Sequence, residues 1–289
     1  MTQVMLIRKL IYGLLLALFA VSLILAGIIF YSRNQNLKVI FLDVGQGDAI
    51  LISEGNRQVL IDGGPGGKII MEKLGKFVPF WDRNIEIVIA THPDQDHIAG
   101  LVDTAKNYKI GRFIGNGVET DSQIYQKLKQ IIQEKNISEL EGGKGMKIKW
   151  GDNVQVEILS PDGSQAKNNP KDTNAASIVS RLSFGDESFL FTGDISYDQE
   201  KELADGSQNV SAGYLKVSHH GSKYSTSQIF LDKIQPRTAI ISVGADNRYG
   251  HPSPDVIARL EENRIEILRT DQDGDISYVC DDVKGCVLE

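Results

Sequence analysis

The chain has 289 residues, 41% hydrophobic and 24% charged, proportions ordinary for a globular protein with a sizeable buried core. Its formal charge of −7 at pH 7 excludes a generally basic protein that coats nucleic acid. A nuclease stays open, because bound divalent cations supply the local positive charge that a phosphodiester needs.

From residue 10 to residue 31 the chain carries no charge, and Arg8 and Lys9 precede this run. That is long enough to cross a hydrocarbon core as a helix. A cleaved signal peptide is the competing reading, with Ala20-Val21-Ser22 imitating its processing site. The apolar region of such a peptide ordinarily runs only about 7–15 residues. Here residues 23–31 continue apolar beyond the imitation site, which favours an uncleaved anchor. Arg8 and Lys9 on one side nearly balance Arg33 and Lys38 on the other, so positive charge gives little orientation. Residues 1–36 are thus expected to form a membrane anchor with a short polar linker over 32–37, and residues 37–289 one hydrolase-sized domain.

Behind the linker, β-branched runs at 39–42, 49–52 and 59–61 predict consecutive short strands separated by Gly-rich turns, with a further strand over 85–90. A helix is expected to begin near Ile98. Ile124, Leu128, Ile131 and Ile132 recur at helical spacing and predict a helix over 122–135. Strand character returns at 154–159, 177–182, 188–192, 215–217 and 238–243, with a helical stretch at 227–234. Residues 255–263 read as a helix, 265–268 as a strand, and Asp273-Gly274 as a hairpin signal. Residues 160–174, rich in Pro, Asp, Asn, Gly and Lys, form one long irregular stretch of the kind that is functional or mobile. No internal repeat is evident. Strands in both halves with helices between them suit two sheets packed face to face with helices outside, an α/β four-layer αββα sandwich behind one N-terminal transmembrane helix.

Cys280 and Cys286 flank a turn-like Asp-Asp-Val-Lys-Gly segment. A hairpin disulfide there suits an oxidising exterior, and two free thiols in a cytosolic protein are the alternative. The expectation is a single-pass membrane protein with its hydrolase domain outside the cell.

All five histidines follow predicted strands: His92, His97, His219, His220 and His251. Imidazole is the commonest protein metal ligand, and loops at strand ends are where a rigid sheet presents such groups. The densest patch is Thr91-His92-Pro93-Asp94-Gln95-Asp96-His97. Its four ligand-type side chains cannot all serve one small ion without strain. They can serve two, with His92 and Asp94 facing one and Asp96 and His97 the other. A polar helix N-terminus would explain one of the aspartates but neither histidine. Asp194, ending a strand in Phe191-Thr192-Gly193-Asp194, suits a bridging carboxylate, although Gly-Asp is also a common turn pair. His251 can supply the remaining ligand to the second ion; on its own it would read as a surface loop histidine.

These residues carry a family resemblance. The run Asp-Val-Gly-Gln-Gly-Asp-Ala from Asp43, then His92-x-Asp-x-Asp-His97, then Thr192-Gly-Asp194 resembles the metallo-β-lactamase superfamily. Lys-Val-Ser-His-His-Gly-Ser from Lys216, with the run from Ser242 through Asn247-Arg248-Tyr249-Gly250-His251-Pro252 to Pro254, is similar to the hydrolase domain of the ComEC DNA-uptake proteins. The resemblance covers residues 37–278. It implies the αββα fold and a dinuclear site that hydrolyses phosphodiesters, with DNA as substrate. The channel and oligonucleotide-binding domains of that family are absent from this sequence, so it is not expected to be a complete DNA translocase. The usual superfamily motif is His-x-His-x-Asp-His. Here Asp94 replaces its second His, and Asn174 stands where a later His would be, a pattern the ComEC-like branch shares. Oxygen in place of nitrogen makes the first site harder, so Mn²⁺ is tolerated beside Zn²⁺.

The expected cofactors are therefore two divalent ions, Zn or Mn, about 3.5–4 Å apart and activating water for attack on phosphorus. His219 or His220 then donates a proton to the leaving oxygen or holds the phosphate, making them, with Asp96, the candidate catalytic residues. Lys223, Arg248 and Asn174 are the candidates for binding substrate, although Lys223 and Arg248 also read as solvated surface charges. Asp43, Gly45, Gly47 and Asp62 are expected to shape the floor, with Asp43 and Asp62 as outer partners of metal-bound histidines. Expected partners are DNA, the membrane, and competence or envelope proteins. Two rivals stand beside this reading: a hydrolase of another envelope ester, phosphodiester or lactone, and a catalytically silent binding module.

Overall fold

The computed structural model describes residues 2–33, 36–150, 153–162 and 172–289. The expected linker and the irregular stretch over 160–174 lie partly outside the described residues. Helix α1 (Thr2–Arg33) contains the expected apolar run. Its segment Met5–Ile28 has a mean hydropathy of 2.5 and none of it is buried, which makes it a candidate membrane span.

Two sheets follow. The first is eight-stranded: β1 (Leu37–Phe41), β2 (Ile50–Glu54), β3 (Arg57–Ile61), β4 (Asn84–Ile89), β5 (Lys109–Gly115) and β6 (Ser138–Glu141) are joined by β14 (Ile276–Asp281) and β15 (Gly285–Leu288), in the order β15-β14-β1-β2-β3-β4-β5-β6. The second is seven-stranded: β7 (Lys147–Trp150), β8 (Val154–Ser160), β9 (Val179–Phe184), β10 (Glu187–Phe191), β11 (Tyr214–Lys216), β12 (Thr238–Ile241) and β13 (Glu266–Arg269), running in order from β13 back to β7.

Side chains alternate across a strand, so β1 sends Leu37, Val39 and Phe41 between the sheets and Ile40 toward the helices. Both faces are covered, and the strands accordingly read as continuous apolar runs rather than alternating ones. The inner layer joins Phe41, Ile52 and Ile61 of the first sheet to Ile158, Leu182, Phe189 and Phe191 of the second. Outside the first sheet lie α2 (Gly67–Phe77), α3 (Gln95–Asn107) and α4 (Gln123–Glu134), which bury Leu74, Leu101 and Ile131. Outside the second lie α5 (Tyr197–Asp205), α6 (Gln228–Ile234) and α7 (Pro254–Glu262), which bury Leu203, Phe230 and Leu260. This is the expected four-layer αββα sandwich.

The hairpin expected at Asp273-Gly274 is not one. β13 and β14 belong to different sheets, and the short helix α8 (Thr270–Asp273), ended by Gly274 at φ 72°, carries the chain from one to the other. The true hairpin is β14–β15, where Cys280 pairs with Cys286 and a disulfide joins them.

Two parallel runs position the site. β3, β4 and β5 run parallel, as do β10, β11, β12 and β13. Their C-terminal ends deliver loops to a common edge, and the histidines stand in those loops.

Candidate metal centre

The first sheet contributes the segment after β4. His92 is fully buried, Asp94 stands at the N-cap position of α3 without a side-chain capping bond, and Asp96 and His97 occupy that helix's first turn, which starts earlier than the expected Ile98. The second sheet contributes Asp194, just beyond β10, and His219 and His220, in a tight 3₁₀ turn after β11 (Ser218–Gly221). Both histidines adopt left-handed backbone, at φ 50° and φ 55°. Such strain persists only where surroundings enforce it. Here His219 N donates to Gly193 O (3.1 Å), Ser253 N donates to Gly221 O (2.8 Å), and Ser225 Oγ donates to Ser218 O (2.8 Å).

The three buried imidazoles present themselves alike. His97 Nδ1 donates to Asp62 Oδ2 (2.8 Å), and His220 Nδ1 donates to Ser242 O (2.8 Å). Thr91 Oγ1 donates to Asp62 Oδ2 (2.6 Å), which leaves it to accept from His92 Nδ1 (3.0 Å). With Nδ1 engaged on every ring, the neutral form of each carries its lone pair on Nε2, and each Nε2 points inward. They meet at Asp194: its Oδ2 lies 3.9 Å from His92 Nε2, 3.4 Å from His97 Nε2 and 3.5 Å from His220 Nε2. His220 Nε2 is also 3.5 Å from Asp96 Oδ2, and His92 Nε2 is 4.0 Å from Asp94 Oδ2.

These atoms fit a metal. His92 Nε2, His97 Nε2, His220 Nε2 and Asp194 Oδ1 are buried without a hydrogen-bond partner. Leaving such groups unsatisfied costs about 1–3 kcal/mol each, a cost that a bound cation removes. Ligand atoms of His92, His97 and Asp194 lie within 4.8 Å of one another, as do those of Asp96, His97 and His220. Charge divides the three rings: burial would lower His97 and His220, but Asp194 with Asp62 raises the first and Asp194 with Asp48 the second well above 6.5, so a cation entering there displaces their protons. Burial, then the neighbouring charge of His97, lowers His92 to about 4, leaving it neutral as a ligand must be. Burial would raise Asp194, but His220 and His97 outweigh it and hold this carboxyl well below its usual range.

Behind the histidines lies a buried ion pair. Lys216, at the end of β11, places Nζ 2.7 Å from Asp48 Oδ2, and Asp48 Oδ1 stands 3.4 Å from His220 Nδ1. Burial would raise Asp48, but Lys216 and then His220 overcome it and push its pKa far down. Asp48 comes from the loop after β1 and Lys216 from the second sheet, so the pair clamps the two halves of the site together. The Asp48 loop fits closely here. Gly47 has φ 131°, and a Cβ on it would run into the carbonyl oxygen of Asp96.

The remaining expected residues are placed as follows. His251 lies outside the converging groups; its ring is 5.9 Å from that of His219 and stacks on Tyr249 at 5.8 Å. His219 is 30% exposed, with Nε2 3.8 Å from Asp194 Oδ2, on the open side of the cluster. Asn174 has a buried Oδ1 without a partner, beside Thr173, whose Oγ1 donates to Asp94 Oδ1 (2.6 Å). Lys223 and Arg248 are both exposed and sit over the rings of Tyr224 and Tyr249. Asp62 partners His97 as expected, but Asp43 partners no histidine. Its Oδ1 accepts from Gly45 N (3.2 Å), and its Oδ2 is 4.0 Å from Lys73. Asp48, five residues on and turned inward by Gly47, takes the position at His220. Sequence reasoning passed over Asp48 and Lys216, although a lysine inside Tyr-Leu-Lys-Val was a signal that a buried acid must face it.

The profile of the metallo-beta-lactamase superfamily matches residues 42–245, most of the chain and all of the converging ligands. The chain belongs to this superfamily. Among curated proteins, this metallo-β-lactamase-fold chain is similar to ComE operon protein 3 of Bacillus subtilis (strain 168), at 33% identity over 83% of this chain and 33% of that protein. It is similar also to competence protein ComA of Neisseria gonorrhoeae, at 29% identity over 89% of this chain and 35% of that protein. The metallo-β-lactamase chain thus spans about a third of the length of these relatives. Among solved structures, the metallo-beta-lactamase fold protein YhfI from Bacillus subtilis superposes with a TM-score of 0.57 at 12% identity, covering 83% of this chain and 99% of that one, which shows the shared fold. The chain is a metallo-β-lactamase-fold, metal-dependent hydrolase related to competence proteins.

Proposed function

We propose that the chain is a membrane-anchored phosphodiesterase that cleaves DNA with two divalent ions, Zn²⁺ or Mn²⁺. The observation that carries this reading is the convergence of three unpartnered, buried Nε2 atoms from both sheets on the single carboxylate of Asp194. His92, Asp94 and Asp194 hold one ion; Asp96, His97 and His220 hold the other, with Asp194 between the two sets. His220 so takes the ligand place expected of His251. Ions bound there supply Lewis acidity and an activated water at neutral pH. His219, on the open side, holds or delivers a proton at the leaving oxygen, with His251 beside it. Arg248, Lys223 and Asn174 bind substrate around this centre.

Residues 1–36 serve as anchor and linker, and residues 37–289 as the hydrolase domain. The Cys280–Cys286 disulfide supports a location outside the cell, where such bonds persist. Similarity to competence proteins supports DNA as the substrate and competence or envelope proteins as partners. One observation favours a second reading. A cavity of about 300 Å³ adjoins His92 and Pro93, with an apolar floor of Phe113, Val118, Leu128 and Leu140 beside Glu119, Glu139 and Glu141. Such a pocket suits an envelope ester with an apolar part.

The test is cleavage of linear and circular DNA by the full chain in detergent with Mn²⁺, Zn²⁺ or Mg²⁺. His97→Ala and Asp194→Ala serve as controls. Metal-dependent cleavage lost in both variants is expected, by about 10²-fold or more. A folded, metal-loaded chain that hydrolyses lactones or thioesters but no phosphodiester would overturn the assignment in favour of the second reading.

A further inference from the structure

α1 ends at Arg33 and β1 begins at Leu37. At about 3.3–3.6 Å per residue, the chain between them reaches at most about 14 Å. The candidate span ends at Ile28, and the last turn and a half of α1 adds about 7.5 Å, so the sheet edge at which β1 begins lies within about 22 Å of the surface from which the span emerges. β2 is antiparallel to both β1 and β3, and β4 is parallel to β3, so β1 and β4 start at this same edge. The metal-centre loops, after β1 and after β4, leave the opposite one.

The segment entering β4 carries two large exposed aromatics at that edge. Phe80 is 79% exposed and Trp81 54%, with their rings edge to face at 4.8 Å. The flanking residues fix this segment to the sheet. Pro79 lines one cavity with Asn36, Lys38 and Lys76. Asp82, itself buried, accepts from Asn84 N (3.0 Å) and Asn84 Nδ2 (3.1 Å) at the start of β4. Cations stand on either side of the pair: Lys38 and Lys76 line the cavity with Pro79, and exposed Arg83 lies two residues beyond Trp81, over the ring of Tyr108. The acids that meet them are Glu289, paired with Lys38 at 3.2 Å, and the buried Asp275, paired with Lys76 at 2.8 Å. Tryptophan and phenylalanine beside lysine and arginine form the side-chain set that settles at a lipid headgroup boundary.

We propose that Phe80 and Trp81 insert into the interfacial layer of the bilayer that α1 crosses, docking the hydrolase domain with its metal centre facing away from the membrane. This rests on the anchoring reading above. A lipid surface is favoured over a protein partner because the short connection after α1 keeps this edge within reach of the bilayer whatever else is present.

The chain holds two tryptophans, Trp81 and Trp150, the second in β7 of the other sheet. The full chain is reconstituted into phosphatidylcholine–phosphatidylglycerol vesicles in which part of the phosphatidylcholine carries brominated acyl chains, and tryptophan emission is read. Wild type, Trp150→Phe and Trp81→Phe are compared after flotation. The expected result is about twofold quenching of Trp150→Phe by bromolipid, as for an interfacial indole, and its disappearance in Trp81→Phe. Flotation without lipid quenching, with Trp81 open to aqueous acrylamide, overturns docking and leaves the anchor intact. Flotation with Trp81 shielded from both quenchers overturns it in favour of a second copy covering the pair. Failure to float overturns the anchor and the docking together.

Discussion

Lys216 stands in an apolar strand with its ammonium 2.7 Å from Asp48 and both side chains almost wholly removed from water. A buried pair of this kind adds little net stability, but removing one partner strands a charge and costs about 3–5 kcal/mol. Lys216→Met is therefore expected to lower chemical-denaturation stability by about that amount. The double variant Lys216→Met/Asp48→Asn should recover most of the loss in the same measurement while still binding metal more weakly, because Asp48 also faces His220. Equal stability in the single and double variants would contradict this account of the pair. At this scale the sequence marked the candidate ligands more readily than the side chains that face them. His92, Asp94, Asp96 and His97 were legible because they share one loop. Whether His220 or His251 joins Asp96 was not, because that depends on two consecutive left-handed residues that redirect His219 and His220. Asp43 and Asp48 look interchangeable in sequence; only the turn at Gly47 decides which faces the histidines.

The elements divide along similar lines. Strands with both faces buried announced themselves as unbroken apolar runs, and α4 and α7 by helical spacing of Leu128, Ile131, Val256 and Leu260. β5, β6 and β7 did not. β5 reads Lys-Ile-Gly-Arg-Phe-Ile-Gly, while β6 and β7 end their sheets with Glu and Lys in exposed positions, a composition that guards edges and hides strand character. β14 was given the wrong partner, as the second arm of a hairpin with β13, because its true partner, β1, lies at the other end of the sequence. What holds that junction is Asp275, which enters β14 and binds Lys73 (2.7 Å) and Lys76 (2.8 Å) of α2 and the backbone of Asp43. Burial would raise its pKa, but these donors prevail and lower it below the carboxylate value of 3.8. A carboxyl depressed on folding stabilises above its unfolded pKa, and that contribution fades as pH falls through the folded one. Asp275→Asn should thus cost about 1–2 kcal/mol at pH 7, and the gap to wild type should narrow below about pH 4. Urea denaturation at both pH values checks it; a gap that widens in acid would contradict the sign.

At the scale of the whole molecule, the candidate metal centre is assembled only where the two sheets meet. His92, Asp94, Asp96 and His97 come from one, Asp194 and His220 from the other, and Lys216–Asp48 ties them. The four-layer architecture was readable because strands and helices alternate in both halves; the convergence of six side chains on one point was readable only as a resemblance. The most direct test is the number of ions the full chain binds, measured by elemental analysis after equilibration with Mn²⁺ or Zn²⁺, in wild type, His220→Ala and His251→Ala. The account predicts two ions per chain in wild type and in His251→Ala, and loss of one in His220→Ala. Two ions retained by His220→Ala, with one lost from His251→Ala, would contradict it.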